Sequence, residues 1–124
     1  WKEEDNCLKA EFVFEDFPVY KIVLQFNSEI SSFLDEIPDK NNYSIKDQLS
    51  RASMSILLNI AEGSGRFTKP DKRSFYVNAR GSCYECAACL QILKSRGQII
   101  GSKYNLFYEM LNNIARQLSA LIKS

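Results

Sequence analysis

The stretch Gln48-Leu49-Ser50-Arg51-Ala52-Ser53-Met54-Ser55-Ile56-Leu57-Leu58-Asn59-Ile60-Ala61-Glu62-Gly63-Ser64-Gly65-Arg66 decides the fold, because its apolar and its polar residues each recur at helical spacing. Leu49, Ala52, Ile56 and Ile60 share one side of a helix and form a stripe that needs burial. Arg51, Ser55, Asn59 and Glu62 make a second, polar stripe along the same helix. Gly63 and Gly65 are expected to end it.

Working outward from this helix, the same periodicity recurs three times. Val19, Ile22, Val23, Phe26, Ile30, Phe33 and Ile37 predict a first helix over about Pro18 to Glu36, with Pro18 in its first turn. A polar turn, Asp39 to Tyr43, leads to Ser44 as a cap, with Asp47 three residues on, so the second helix is expected over about Ile45 to Glu62. Thr68 to Asp71 starts a third, over about Pro70 to Ser95, whose core positions are Phe75, Ala79, Ser82, Cys86, Leu90 and Leu93. Gly97 and Gly101 bracket its exit. Phe107, Leu111, Ile114, Leu118 and Leu121 carry a fourth, over about Lys103 to Ile122. Short connections force antiparallel neighbours, so the fold expected over residues 17–124 is an all-α, antiparallel up-down-up-down four-helix bundle. Residues 1–16, with the alternation Leu8, Ala10, Phe12, Phe14, read as a partly ordered N-terminal arm.

At 124 residues the chain has room for one domain and one core. No apolar run is long enough to span a bilayer and no charged-then-apolar leader stands at the start, so a cytoplasmic protein without membrane contact is expected. Trp1 stands where a start Met would, which implies a trimmed or incomplete N-terminus. The formal net charge of +1 hides an uneven distribution. Residues 1–16 are acidic, whereas between Arg66 and Lys103 the cations Arg66, Lys69, Lys72, Arg73, Arg80, Lys94, Arg96 and Lys103 face only Asp71 and Glu85. Such a run is either a docking surface for phosphate or an acidic partner, or a solvated helix face.

Several motifs bear on family. Phe17-Pro18-Val19-Tyr20 opens the first helix; Gln48 is followed by Arg51-Ala52; Asn59-Ile60-Ala61-Glu62-Gly63 by Gly65-Arg66; and Gly81-Ser82 by Glu85. In these residues, over about 12 to 122, the chain resembles the bacterial four-helix-bundle proteins encoded in intervening sequences of 23S ribosomal RNA genes, whose relatives include the accessory protein of diversity-generating retroelements. The resemblance implies the bundle and a ring of five subunits, a homopentamer. It implies no single activity, since functions differ within the group. Independently, Tyr20, Leu24, Leu57, Leu58, Tyr76, Val77, Tyr84 and Tyr108 lie off the core stripes, and a row of this size points to a homo-oligomer.

The chemistry-bearing candidates are few. Cys83, Cys86 and Cys89 are spaced like cluster ligands, but they fall within a predicted helix where steps of three drift around the axis. Cys7 is a remote fourth, and the chain contains no His for a mixed zinc site. Buried thiols, with no metal and no cofactor, are the expectation. Gly63 to Lys69 lacks the order of a phosphate loop and follows a helix, so it reads as a helix end. Arg51, Asn59, Glu62 and Glu85 form a structural polar seam: folding the second and third helices back on each other about Phe67 brings Glu85 to the level of Arg51 and Glu62 near Arg66 and Arg73. An Arg51–Glu85 pair would set register. No catalytic residue is assigned, because without His a base would need a perturbed carboxylate, thiol or lysine beside a nucleophile. The favoured function is a non-enzymatic scaffold binding RNA, DNA or a ribonucleoprotein through Arg66, Lys69, Lys72, Arg73, Arg80, Lys94 and Arg96, as phosphate contacts. A protein-interaction adaptor for a polymerase or another acidic partner is the second reading, and an enzyme with an unrecognised site the third.

Overall fold

The computed structural model describes residues 12–124, so most of the expected N-terminal arm, including Cys7, Leu8 and Ala10, lies outside the described residues. Val13–Asp16 form a 3-10 turn rather than extended chain. Its Phe14 ring rests on Tyr20 at 4.7 Å between centroids.

Four helices follow: α1 Pro18–Asp35, α2 Tyr43–Ser64, α3 Lys69–Ser95 and α4 Gly101–Lys123. Pro18 occupies the first turn of α1. The start of α2 differs from expectation. Asn42, not Ser44, is its N-cap residue; Asn41 takes a left-handed φ of 67°, which its short polar side chain tolerates. Lys46 fixes this corner by donating to the Ile37 carbonyl at 2.6 Å and Asp39 at 2.7 Å. The Thr68 hydroxyl caps α3 by accepting from the Asp71 amide at 3.3 Å. At the other end of α3, Gly97 adopts φ +70°, with Gly97 N–H donating to Lys94 and Gln98 N–H to Leu93. This paired closure satisfies two orphan carbonyls and needs a residue that accepts positive φ.

Side chains that meet across the helices establish the topology. Between α1 and α2, Ser53 donates to Asn27 at 2.9 Å. Between α2 and α3, Ser82 meets Ser55 at 2.9 Å, Gln48 donates to Glu85, and Arg96 reaches the Asn41 carbonyl just ahead of α2. Rising numbers on one helix meet falling numbers on the next. The same holds between α3 and α4, where Arg73 reaches the Ile122 carbonyl and Arg80 the Ser119 hydroxyl. The start of α1 lies beside the end of α4, where Phe17 and Val19 share a groove with Gln117 and Leu121. Deeper in the bundle, Phe107 stands edge-on to both Phe26 and Phe33. The bundle is therefore antiparallel throughout, with α1 closing on α4, and α2 on α3 its most extensive pairing.

The stripe Leu49, Ala52, Ile56, Ile60 is fully buried, as are Val23, Phe26 and Ile30 of α1 and Phe107, Ile114 and Leu118 of α4. On α3 the expected core positions Ala79, Ser82, Cys86, Leu90 and Leu93 are buried, and only the first of the series differs. Tyr76 is buried at 5% exposure while Phe75 is only half-buried, the reverse of the sequence reading. Both residues pack on Gly63, which does not end α2 but lies buried in its last turn. A Cβ there would stand 2.9 Å from both Phe75 Cβ and Tyr76 Cε1, so α3 can press against bare backbone only because the residue is glycine. Tyr20 and Leu57 are also drawn partly into the core. Leu24, Leu58, Val77, Tyr84 and Tyr108 remain exposed. Among the described residues no helix is long and apolar enough to cross a membrane.

Glycines therefore differ in what they permit. Gly63→Ala gains helix propensity but overpacks against a Cβ that cannot swing away, for a net loss of about 1–2 kcal/mol. Gly81 is exposed within α3, and a Cβ added there would meet nothing within 4 Å. Its change to Ala should gain about 0.5–1 kcal/mol. Thermal unfolding of the two variants should move in opposite directions.

Candidate functional site

The seven basic residues expected to form one surface are distributed along α3 and its flanks. Lys69, Lys72 and Arg73 stand in its first turns, where they line a groove of about 270 Å³ with the end of α4. Lys72 donates to the Ser64 carbonyl at 3.0 Å and Arg73 to the Ile122 carbonyl at 3.1 Å. Each cation thus sits on the last turn of a neighbouring helix, where unpaired carbonyls and the helix dipole favour positive charge. Arg66 pairs with Glu62 at 3.0 Å and lies over the Phe75 ring. Arg80, seven residues or about 10 Å of helical rise beyond Arg73, donates to the Ser119 hydroxyl at 2.9 Å and the Tyr84 hydroxyl at 3.0 Å. Lys94, over Tyr104, and Arg96, on the Asn41 carbonyl, stand at the opposite end of α3. The structure brings Lys69, Lys72, Arg73 and Arg80 together along the α3–α4 side and separates Lys94 and Arg96 from them.

The polar seam is assembled from other residues than expected. Arg51 does not reach Glu85; it pairs with Asp47 one turn back on the same exposed face, at 2.9 Å. Glu85 instead accepts from Gln48. The level is as expected but the direction is not, because Arg51 and Gln48 lie three positions apart and only Gln48 points across to α3. Asn59 bonds within α2, to the Ser55 carbonyl and hydroxyl. Glu62 meets Arg66 as expected, while Arg73 is turned to α4. The contacts that cross helices in the interior are Ser55–Ser82 and Asn27–Ser53. Small hydroxyls at stripe positions were the available signal. They bury cheaply once paired.

Cys83, Cys86 and Cys89 are helical and buried at 2%, 0% and 3% exposure. Burial pushes the Cys83 thiol up to about 12 against a small opposing pull from Arg80. Burial, then Cys83, Cys89 and Glu85, drive Cys86 still higher. Burial and Glu85 raise Cys89. A protonated, enclosed thiol is neither nucleophile nor ligand. Among the described residues no three His, Cys, Asp or Glu side chains group as metal ligands.

One feature of the same side was missed by periodicity. Cys83 and Leu111 floor a cleft of about 320 Å³ between α3 and α4, flanked by Tyr84 and Tyr108. Both tyrosines counted only as off-stripe hydrophobes in the sequence.

A family described as 23S rRNA-intervening sequence protein matches residues 15–120 of the chain. Among solved structures, a protein of unknown function from the S23 ribosomal protein family of Bacteroides thetaiotaomicron VPI-5482 superposes with a TM-score of 0.79 at 20% identity, over 86% of this chain and 96% of that one. At that identity the likeness is one of fold. No curated protein matches the chain.

The thiols give a pH test. Unfolded, they release protons above about pH 8.5; folded, Cys83 keeps its proton to about 12. The folded state then binds more protons across this window, so stability is full below it and falls as the pH rises through it. Thermal melts should decline less steeply in a Cys83→Ala, Cys86→Ala variant. Equal slopes would count against burial as the cause.

Proposed function

The chain belongs to the 23S rRNA-intervening sequence protein family, and from that membership we propose that it is a non-enzymatic, cytoplasmic scaffold, assembled from several copies, that binds nucleic acid or a ribonucleoprotein through the basic side of α3. One observation carries this reading. Of the seven cations, only Arg66 has a carboxylate within 4.0 Å among the described residues. Five of the other six, Lys72, Arg73, Arg80, Lys94 and Arg96, are held by carbonyls, hydroxyls or a ring, so they are positioned without being neutralised. Positioned, uncompensated cations suit phosphate, since little side-chain entropy is lost on contact and counterions are released.

Assembly is supported by Leu24, Leu58 and Val77, each at least half exposed, and by the fully exposed Phe67 on the α2–α3 loop. A monomer gains nothing from these. The resemblance favours a ring of five. Such a ring would present Arg73 and Arg80 in several copies, multiplying weak contacts and offsetting the near-neutral net charge.

Retention of structured RNA or duplex DNA should fall steeply with salt. Replacing Lys72, Arg73 and Arg80 together by Gln should weaken unrelated sequences about equally and reduce the salt slope by roughly two to three. If the wild-type protein retains neither RNA nor DNA at low salt, the adaptor reading takes its place. Sedimentation should give an oligomer, and Leu58→Asp with Val77→Asp should yield a smaller species that stays helical. A wild-type monomer at micromolar concentration would remove the scaffold.

A further inference from the structure

The cleft between α3 and α4 combines features that the phosphate reading leaves unused. Its walls are Tyr84, 60% exposed, and Tyr108, 40% exposed. Both rings are braced. Arg80 donates to the Tyr84 hydroxyl and holds its guanidinium 5.0 Å from that ring; Tyr108 leans on buried Tyr104 at 5.8 Å and 32°. Rings held in place lose little freedom when a ligand stacks on them. Between them the lining is short, with Ala87 and Ala115 leaving the space of about 320 Å³ open. Gln91 and Asn112 also line it, and neither side chain makes a hydrogen bond among the described residues. Their amides offer donor and acceptor together, as base edges do.

Charge runs along the same seam on both sides of the cleft. Arg80 stands one turn, about 6 Å of rise, before Tyr84, and Lys94 about 15 Å beyond it. Arg73, Lys72 and Lys69 continue the series toward the start of α3. Cations alternating with accessible rings match a single strand, whose anionic backbone carries unpaired bases with open π-faces. A duplex keeps those faces stacked on one another. A second copy of the chain seated here would cover Arg80 and Lys94, which have no carboxylate partner among the described residues, at a desolvation cost.

We infer that the α3–α4 seam binds single-stranded nucleic acid, with one unpaired base stacked between Tyr84 and Tyr108 and its flanking phosphates on Arg80 and the cations near the start of α3. This rests on the nucleic-acid reading above and narrows it from charge to strandedness.

The test is fluorescence anisotropy at low salt with two probes, a labelled mixed-sequence RNA single strand and the corresponding duplex, using the full chain. The wild-type protein should prefer the single strand. Tyr84→Ala with Tyr108→Ala should weaken single-strand binding about tenfold or more, weaken the duplex far less because Arg80 keeps its Ser119 anchor, leave the salt slope unchanged, and keep the helical circular dichroism. Tyr84→Phe with Tyr108→Phe should restore most of the binding, since stacking needs the ring, and the Arg80 guanidinium over it remains when the hydroxyl brace is lost. If the alanine variant folds and binds the single strand as tightly as wild type, the base seat is overturned while the phosphate reading stands. If that variant changes subunit number with per-subunit affinity intact, the cleft is a contact between copies and the inference is overturned. Binding of neither probe by wild type overturns both.

Discussion

The approach of α2 to α3 at Gly63 governs the rest of the molecule. With no side chain at that point, the helices close until Gly63 lies against Phe75 and Tyr76. The contact sets how closely the two helices approach at this level. Tyr76 turns inward, Phe75 moves out beneath Arg66, and further along the pair Ser55 meets Ser82 and Gln48 meets Glu85. A larger residue at 63 would push α3 outward and shift every one of these pairs together. Interiors packed at crystal density do not absorb such a shift locally.

The first turns of α3 also carry cations that reach two neighbouring helix ends. Lys72 comes to rest on the end of α2 and Arg73 on the end of α4, so each satisfies a helix terminus belonging to a different element. Both residues therefore serve the fold first. Arg73 uses its Nε for the Ile122 carbonyl, and an arginine fork has further N–H groups to offer once it is anchored. A cation held this way is a more selective contact than a lysine free in solvent, because its geometry is settled before anything binds. Near neutrality overall is no obstacle to a basic side, since the fields that matter fall off within about 10 Å at moderate salt.

Much of this was legible in the chain. Apolar periodicity identified four helices and most of their buried positions, because the energy of burial dominates and repeats along each helix; Leu34, Ile45, Tyr76 and Tyr104, buried off the stripes, escaped it. Glycine and proline signals were less reliable. Gly97 behaves as an ordinary terminator, whereas Gly63 has the same local appearance and serves helix contact instead; a one-dimensional pattern cannot separate a stop from a close approach. The Arg51–Glu85 pairing failed on direction rather than level, since a difference of three positions turns a side chain by most of a right angle. Of the candidate site, the cations were readable as a run. Their separation into clusters, and the tyrosine cleft between α3 and α4, depend on which faces two antiparallel helices present to each other, and no single helix contains that information.

The brevity of the α2–α3 connection, Gly65 to Thr68, bears on the order in which the chain acquires its structure. The most extensive helix pairing in the bundle is also among its most local, and closing so small a loop costs little chain entropy. The aromatic contact of Phe26 with Phe107 joins segments near opposite ends of the described chain and must wait for everything between them. A hairpin formed early, with the outer helices docking afterwards, is the kinetic counterpart of this connectivity. It also locates the weakest boundary in the native state, along the line where α1 and α4 meet, which is where transient opening should begin.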